Sequence, residues 1–137
     1  MTSQLDLSSL QNATLRLEEA WSLLQAEPEN TIIRDAVIQR FEFTYELSWK
    51  MLKRYLEMTA SNPASFDEMS FQNLIRRGSE QGLLKSGWDT WWDYRNARAA
   101  TSHTYGEEKA KAVIVLILPF IREIQYLLAM LESRSTD

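Results

Sequence analysis

Residues 91–105, WWDYRNARAATSHTY, contain the side chains best suited to chemistry. Arg98 stands five positions before His103, which is the single His of the chain. A guanidinium can hold a phosphate and stabilise developing charge, and an imidazole can act as general acid or base on a ribose 2′-hydroxyl or a leaving oxygen. The pair therefore suits phosphodiester chemistry without a metal. The alternative is a purely structural one, in which Arg98 complements the dipole at a helix C-terminus and His103 is a surface residue.

The spacing of this pair restricts how it can act. On one continuous helix Arg98 and His103 would point about 140° apart. They converge only if the helix ends between them or if a second chain completes the site. Thr101 and Ser102, followed by Gly106, favour an end at this point. Thr101 and Ser102 are therefore candidate cleft residues.

Two carboxylates one helical turn apart form a second candidate group. Glu42 or Glu46 could face Arg98, because a long helix in a bundle must pass close to the Arg–His pair. Glu42, between two Phe residues, is the better candidate of the two. The alternative, which the Glu46–Lys50 spacing favours, is a solvated helix face.

Aromatic residues at helical spacing could stack on bases, but this spacing is more typical of a core or a subunit interface. The residues are Tyr45, Trp49, Trp88, Trp91, Trp92 and Tyr94. A basic cluster of Arg76, Arg77 and Lys85 surrounds a Gly-containing turn. It could guide RNA or an acidic partner, or be an ordinary solvated surface.

The composition removes much common enzyme chemistry. With no Cys in 137 residues there is no disulfide, thiolate zinc site or Cys nucleophile, and one His cannot supply a His pair within one chain. The four Gly residues form neither a GxGxxG nor a P-loop pattern, so a phosphate-cradling loop is not expected. We therefore expect no metal and no cofactor.

The formal net charge of −4 is unevenly distributed. Residues 1–73 carry −5, residues 74–111 carry +2 and residues 112–137 carry −1, so the His lies in the net-positive stretch. That balance alone is weak support for a polyanionic partner. No secretory leader is recognisable, and the apolar run 112–121 is shorter than the ~20 residues that span a bilayer. We expect a cytoplasmic protein without a membrane partner.

Helical periodicity dominates the elements that must position these residues. A first helix, with Ser8 or Ser9 as its cap, should end at Pro28. A longer helix capped by Asn30 or Thr31 should fade near residues 61–63. Residues 62–70 are predicted to form a loop.

Three further segments complete the prediction. Ser70 should cap a short helix, and a helix from Trp88 should fray around residues 102–106. The last helix should begin near Glu107 and be kinked by Pro119. Because no hairpin signals occur, the sequence predicts an all-α, antiparallel up-and-down bundle of four main helices plus a short one, in a single domain over residues 1–137.

Two stretches resemble a known superfamily. RAATSHTY at 98–105 matches the R-x4-H-x-Y pattern of HEPN-domain proteins. RFEFTYELSWKMLK at 40–53 is similar to the corresponding segment of the nucleotidyltransferase substrate-binding branch, which is close to the HepT toxins. The likeness extends from about residue 7 to residue 131 and includes a Trp-bearing helix before the His motif.

The resemblance implies a helical bundle that dimerises, with the Arg and His of both subunits facing a shared cleft that binds nucleotide or RNA phosphate. It also implies a minimal nucleotidyltransferase as partner. In toxin members the motif is a metal-independent ribonuclease site. There Arg98 would grip phosphate, His103 would be the acid–base residue, and the partner would silence the toxin by adding AMP to Tyr105.

One position departs from the family pattern. Many members have a polar residue, often Asn, directly after the motif Arg, whereas this chain has Ala99. The departure weakens the expectation of nuclease activity but not that of the fold or the partner. Two hypotheses follow: a homodimeric partner of a minimal nucleotidyltransferase, or a metal-independent ribonuclease toxin that uses Arg98 and His103.

Overall fold

The computed structural model describes residues 5–103 and 106–135, and helices account for most of them. The helices are α1 (Ser8–Ala26), α2 (Thr31–Thr59), α3 (Phe71–Glu80), α4 (Trp88–Ala100), α5 (Glu107–Ile114) and α6 (Ile117–Ser135). Short 3-10 turns occupy Pro63–Phe66 and Thr101–His103. The described residues contain no strand, so the predicted all-α class is confirmed.

The helices α1 and α2 form an antiparallel pair. Arg40 Nη1 donates to the carbonyl of Arg16 at 2.8 Å, and further along α2 Thr44 Oγ1 donates to the carbonyl of Ala13 at 3.3 Å. As residue numbers increase along α2, the residues that they contact on α1 decrease in number, so the two helices run in opposite directions. The turn between them ends at Asn30, whose side chain accepts from the amides of Ile32 and Ile33, as the capping prediction required.

The predicted cap of α1 is wrong in detail. The residue before the helix is Leu7, and neither predicted serine caps it. Instead Asp6 Oδ1 accepts from the amide nitrogen of Ser8 at 3.0 Å and from its hydroxyl at 2.7 Å. These bonds lower the pKa of the Asp6 carboxyl, because they favour its charged form.

An aromatic cluster forms the centre of the bundle. Phe120 of α6 lies 4.8 Å from the ring of Phe41 on α2 and 5.2 Å from that of Tyr94 on α4, both edge-on. Trp91 packs edge-on against Tyr94 at 5.4 Å. Since α2, α4 and α6 all place their largest fully buried side chains here, these contacts fix the position of α4 on α2.

Pro119 divides the C-terminal helix. A proline lacks the amide hydrogen and its ring clashes with the carbonyl four residues earlier, which here is Val115. The helix breaks at residues 115–116, and a tighter bond from the Leu116 amide to the Val113 carbonyl, 3.0 Å long, bridges the break. The predicted kink is therefore confirmed as a separation into α5 and α6.

The apolar stretch of the C-terminal helices is longer than the run at 112–121 indicated. The stretch Glu107–Arg134 is long and apolar enough by length and composition to cross a membrane, and its 18-residue apolar window has a mean hydropathy of 1.9. However, Ile117, Phe120, Ile124 and Leu127 are fully buried against the other helices. This pattern is the one expected of a core helix in a bundle.

The segment between α2 and α3 is more ordered than a loop. Its 3-10 turn buries Phe66 against the core. Ser70 then caps α3 as predicted, accepting from the Asn73 amide at 3.1 Å. The chain leaves α3 through Gly82, whose φ of +73° favours glycine.

Candidate functional site

The helix α4 ends between Arg98 and His103, which is one of the two alternatives that their spacing left open. Its last residue is Ala100, and the 3-10 turn Thr101–His103 follows it directly. Arg98 lies in the last helical turn, where a cation is favoured by the helix dipole. His103 and Ser102 are both exposed on the turn.

Arg98 is held by two carboxylates of α2. Its Nε lies 3.1 Å from Glu46 Oε1, and its Nη1 lies 3.5 Å from Glu42 Oε2. The interpretation of Glu42 and Glu46 as a solvated face is therefore wrong. The one-turn spacing of the two Glu residues was the right signal, but Glu46, not Glu42, makes the shorter contact.

The expected pairing of Glu46 with Lys50 is replaced by other contacts. Glu46 Oε2 accepts from Trp49 Nε1 at 3.1 Å, so both of its oxygens are engaged. Lys50 lies over the indole of Trp49, with Nζ 5.7 Å from the ring centroid. Glu46 thus fixes the guanidinium of Arg98 and the indole of Trp49 relative to each other.

Thr101 connects the two helices. Its Oγ1 lies 2.5 Å from Glu42 Oε2 and 2.7 Å from the carbonyl oxygen of Arg98, and it accepts from Arg98 Nη1 at 3.3 Å. Thr101 is buried. The predicted cleft residues Thr101 and Glu42 thus join the Arg98 network, in which Thr101 acts as a positioning residue.

The charge balance at Arg98 limits what the guanidinium can do. One cation faces two carboxylates, and the side chains of Arg98, Glu42 and Glu46 are each about one third exposed (32%, 40% and 34%). Nε and Nη1 are engaged, whereas Nη2 makes no hydrogen bond with the described residues. An anion would therefore approach Arg98 from the Nη2 edge, in competition with the carboxylates.

Two cavities lie on either side of Arg98. The α3-side cavity, between α2, α3 and α4, has a volume of about 460 Å³ and includes Trp49, Phe71 and Arg95 in its lining. The α1-side cavity, between α1, α2 and α4, has a volume of about 350 Å³ and includes Arg40 and Phe43. Arg98 and Glu46 line both, so the ion pair forms the wall between them.

A family model described as "nucleotidyltransferase substrate binding protein like" matches residues 5–133, which is nearly the whole chain. The chain belongs to this family. A Haemophilus influenzae protein named probable ribonuclease HepT is 37% identical over 145 aligned residues, covering 98% of this chain and 97% of that protein.

Solved structures agree with the family membership. A Haemophilus influenzae structure described as the fold of a substrate-binding domain of a nucleotidyltransferase matches with a TM-score of 0.86 and 34% identity, covering 93% of this chain and 99% of that one. A crystal structure of a Thermus thermophilus protein matches with a TM-score of 0.73 and 31% identity, covering 89% and 98%. The helical bundle of this family member is therefore shared with relatives of similar length.

Other predicted residues of this family member divide between core and surface. Trp91 and Tyr94 are buried in the core, whereas Trp92 remains 47% exposed. Burial raises the pKa of the Tyr94 phenol well above its ordinary range, and nearby Glu123 adds to the effect. Arg76 and Arg77 are exposed, and Tyr105 lies outside the described residues.

Two groups of functional interest were missed from the sequence. Lys53 and Arg95 line the α3-side cavity together with Arg98, but their positions in the sequence, 42 residues apart, give no sign that they meet. Glu123 is fully buried in α6 and its Oε2 accepts from the amides of Lys85 at 2.7 Å and Ser86 at 3.3 Å. The sequence signal for this buried acceptor was a Glu inside a strongly apolar helix.

Proposed function

We propose that this protein is the helical partner of a minimal nucleotidyltransferase, and that it binds the phosphate of a nucleotide or RNA at Arg98 and His103. The observation that carries the proposal is the family match over residues 5–133, together with a relative of similar length that is described as a nucleotidyltransferase substrate-binding domain. The end of α4 supports it, because the guanidinium of Arg98 is held there by two carboxylates and the exposed His103 follows on the next turn of the chain.

We further propose that the working unit is a homodimer. Each protomer supplies one Arg98 and one His103, so a two-fold arrangement would bring two guanidinium groups and two imidazoles to one cleft. A second copy would also cover Phe43, which is 61% exposed and lines the α1-side cavity. Sedimentation at several concentrations tests this, and a monomer throughout the range would contradict it.

Co-purification tests the partnership directly. The tagged protein is expressed together with the product of the neighbouring gene, and the captured proteins are identified by mass spectrometry. We expect a nucleotidyltransferase in a fixed ratio with this chain. Capture of none, when the neighbour encodes one and is expressed, would contradict the proposal.

A second candidate function is a metal-independent ribonuclease. Two observations favour it: a relative 37% identical is named probable ribonuclease HepT, and His103 is exposed where it can reach an RNA strand. In this mechanism His103 takes the 2′-hydroxyl proton and the 2′-oxygen attacks the adjacent phosphorus, while the bond to the 5′-oxygen breaks and that oxygen takes a proton from water. The Nη2 edge of Arg98 stabilises the charge that develops on the phosphoryl oxygens.

Cleavage of RNA in the presence of EDTA separates the two candidate functions. If the protein is a ribonuclease, cleavage persists in EDTA and falls by about 100-fold or more in His103→Ala, which removes the acid–base group. The control is Ser22→Ala, at an exposed position of α1 outside both cavities, and it should retain activity. Cleavage that survives His103→Ala would point to a contaminating nuclease.

Regulation at Tyr105 completes the proposal. The Tyr105 oxygen would form a bond to the α-phosphorus of ATP while the bond to pyrophosphate breaks and the phenolic proton passes to solvent. The added phosphodiester introduces negative charge and bulk two residues after His103 in the sequence. Incubation with partner and ATP should therefore raise the mass by about 329 Da per AMP unit, and Tyr105→Phe should abolish the increase. The same increase in Tyr105→Phe would assign the acceptor elsewhere.

A further inference from the structure

The α3-side cavity combines features that a mononucleotide requires. Its walls come from α2, α3, α4 and the segment between α2 and α3, and its volume of about 460 Å³ lies within the ~300–1,000 Å³ typical of small-molecule sites. Apolar and aromatic side chains form most of the lining, and charged groups stand among them. The residues that line the cavity are Tyr45, Glu46, Trp49, Lys53, Phe66, Met69, Phe71, Leu74, Arg95, Arg98 and Ala99.

The charged residues of the cavity favour an anion. Lys53, Arg95 and Arg98 face a single carboxylate, Glu46, which leaves a net charge of +2. Glu46 is already engaged by Arg98 and by Trp49. Within the part of the chain that the structure describes, neither Lys53 nor Arg95 has a carboxylate within ion-pair distance. Two cations are thus left to bind an anionic ligand.

The aromatic residues favour a flat ring. Trp49 and Phe71 meet edge-on with their centroids 6.1 Å apart, and both line the cavity. The guanidinium of Arg95 lies 5.9 Å from the Phe71 centroid and 5.8 Å from that of Trp92. Aromatic rings and stacked guanidinium groups are the surfaces on which nucleobases are held without sequence preference.

We propose that the α3-side cavity binds one nucleotide unit, with its base against Trp49 and Phe71 and its phosphate at Lys53 and Arg95. The proposal rests on the proposed function, because it adds a subsite for one base and its own phosphate next to Arg98, which lines the same cavity. Ala99 is exposed and lines the cavity, so its short side chain leaves open a space that a longer residue would occupy. The departure from the family pattern at this position therefore has a structural consequence.

The α1-side cavity is the weaker alternative for this ligand. Two carboxylates, Glu42 and Glu46, line it. Its Arg40 is already bound to Glu19 at 3.2 Å and to a backbone carbonyl. Its one aromatic residue is the exposed Phe43. An anionic aromatic ligand therefore finds more free cationic and aromatic surface on the α3 side.

Titration of the full-length protein with AMP, and separately with a single-stranded trinucleotide RNA, tests the proposal. Calorimetry gives the dissociation constants, and quenching of Trp fluorescence reports on the indole in the cavity. We expect Lys53→Gln to weaken binding by about tenfold through loss of a charged contact. The matched control is Arg54→Gln, an exposed neighbour outside the cavity, which should change binding less than about twofold.

A second variant tests the cavity by side-chain volume and leaves the charge of the protein unchanged. Ala99→Leu places a larger side chain in the cavity from an exposed position, so the fold should be retained while binding falls by about tenfold or more. Equal affinity for AMP and the trinucleotide would identify a free nucleotide as the ligand. Tighter binding of the trinucleotide, lost in the same variants, would identify an RNA strand. Either result supports the proposal.

Failure of this inference is distinguishable from failure of the proposed function. If the wild-type protein captures a nucleotidyltransferase but binds neither AMP nor the trinucleotide, the cavity proposal is overturned while the partnership stands. Binding that is unchanged in both Lys53→Gln and Ala99→Leu would overturn it as well. Binding that is lost in these variants while no nucleotidyltransferase is captured would leave the cavity proposal intact and contradict the partnership.

Discussion

At Arg98 a guanidinium meets more negative charge than it can balance. Glu46 and Glu42 both contact it, and Thr101 fixes Glu42 through a hydrogen bond of 2.5 Å. These contacts hold the side chain in one orientation before any ligand arrives, which reduces the entropic cost of binding. They also weaken the attraction of Arg98 for an anion, because the two carboxylates offset its positive charge.

Glu46→Gln should shift this balance toward the ligand. Removing one negative charge beside Arg98 should raise the affinity for a short RNA about threefold, while the amide oxygen still accepts from a donor. Because the pair is partly exposed, we expect a loss of less than about 1 kcal/mol in the free energy of unfolding. Binding isotherms and urea denaturation measure the two effects.

The control for this substitution is Glu29→Gln, which removes an exposed carboxylate that is remote from Arg98. It should leave RNA affinity close to that of the wild type. If Glu46→Gln and Glu29→Gln raise the affinity equally, overall charge and not the local pairing of Arg98 decides binding.

At the scale of elements, Glu123 of α6 fixes the segment that leads into α4. Its Oε2 accepts from the amides of Lys85 and Ser86. These are the two residues that precede Gly87, the N-cap of α4. The Glu123 side chain is fully buried and both hydrogen bonds are partly buried, so water has limited access to these amides. The starting point of the helix that carries Arg98 thus depends on a residue in another helix.

Glu123→Ala should be strongly destabilising. Two partly buried amides would lose their acceptor, at a cost of about 2–3 kcal/mol. For a chain of this size that corresponds to a fall in Tm of roughly 7–10 °C. Differential scanning calorimetry measures the change.

Arg122→Ala, at the exposed neighbouring position, provides the comparison and should shift Tm by no more than about 2 °C. A similar Tm for Glu123→Ala and the wild type would mean that water replaces the lost carboxylate.

At the scale of the whole molecule, two buried phenols make the free energy of unfolding depend on pH. Burial raises the pKa of Tyr45 and of Tyr94 well above their ordinary range, and Glu46 and Glu123 respectively add to the effect. The unfolded chain therefore loses these protons first, near pH ~10. The stability that the neutral phenols contribute is complete below that pH and is lost as the pH rises above it.

Tyr94→Phe should make the protein less sensitive to alkali. The variant lacks one of the two protons that the folded state retains, so its free energy of unfolding should fall less steeply between about pH 9 and about pH 11. Urea denaturation at several pH values measures the slope. Tyr126→Phe, at an exposed position, should keep the wild-type slope. Equal slopes for all three proteins would show that other groups control alkaline unfolding.

The local elements of this protein follow from its amino-acid order. Helical periodicity, the caps at Asn30 and Ser70, and the break caused by Pro119 are interactions between residues at most four apart, so the pattern alone reveals them. The same locality explains why the end of α4 after Arg98 was predicted. The resemblance at residues 98–105 then added the family.

Which side chains meet across the bundle depends on how the helices pack. Arg98 and Glu46 are 52 residues apart, and Glu123 binds an amide 38 residues away. Such contacts follow from the crossing of α2, α4 and α6 over the aromatic core, which no local spacing encodes. For the same reason the sequence favoured a solvated face for Glu46, and it gave no sign that Lys53 and Arg95 share a cavity with Trp49.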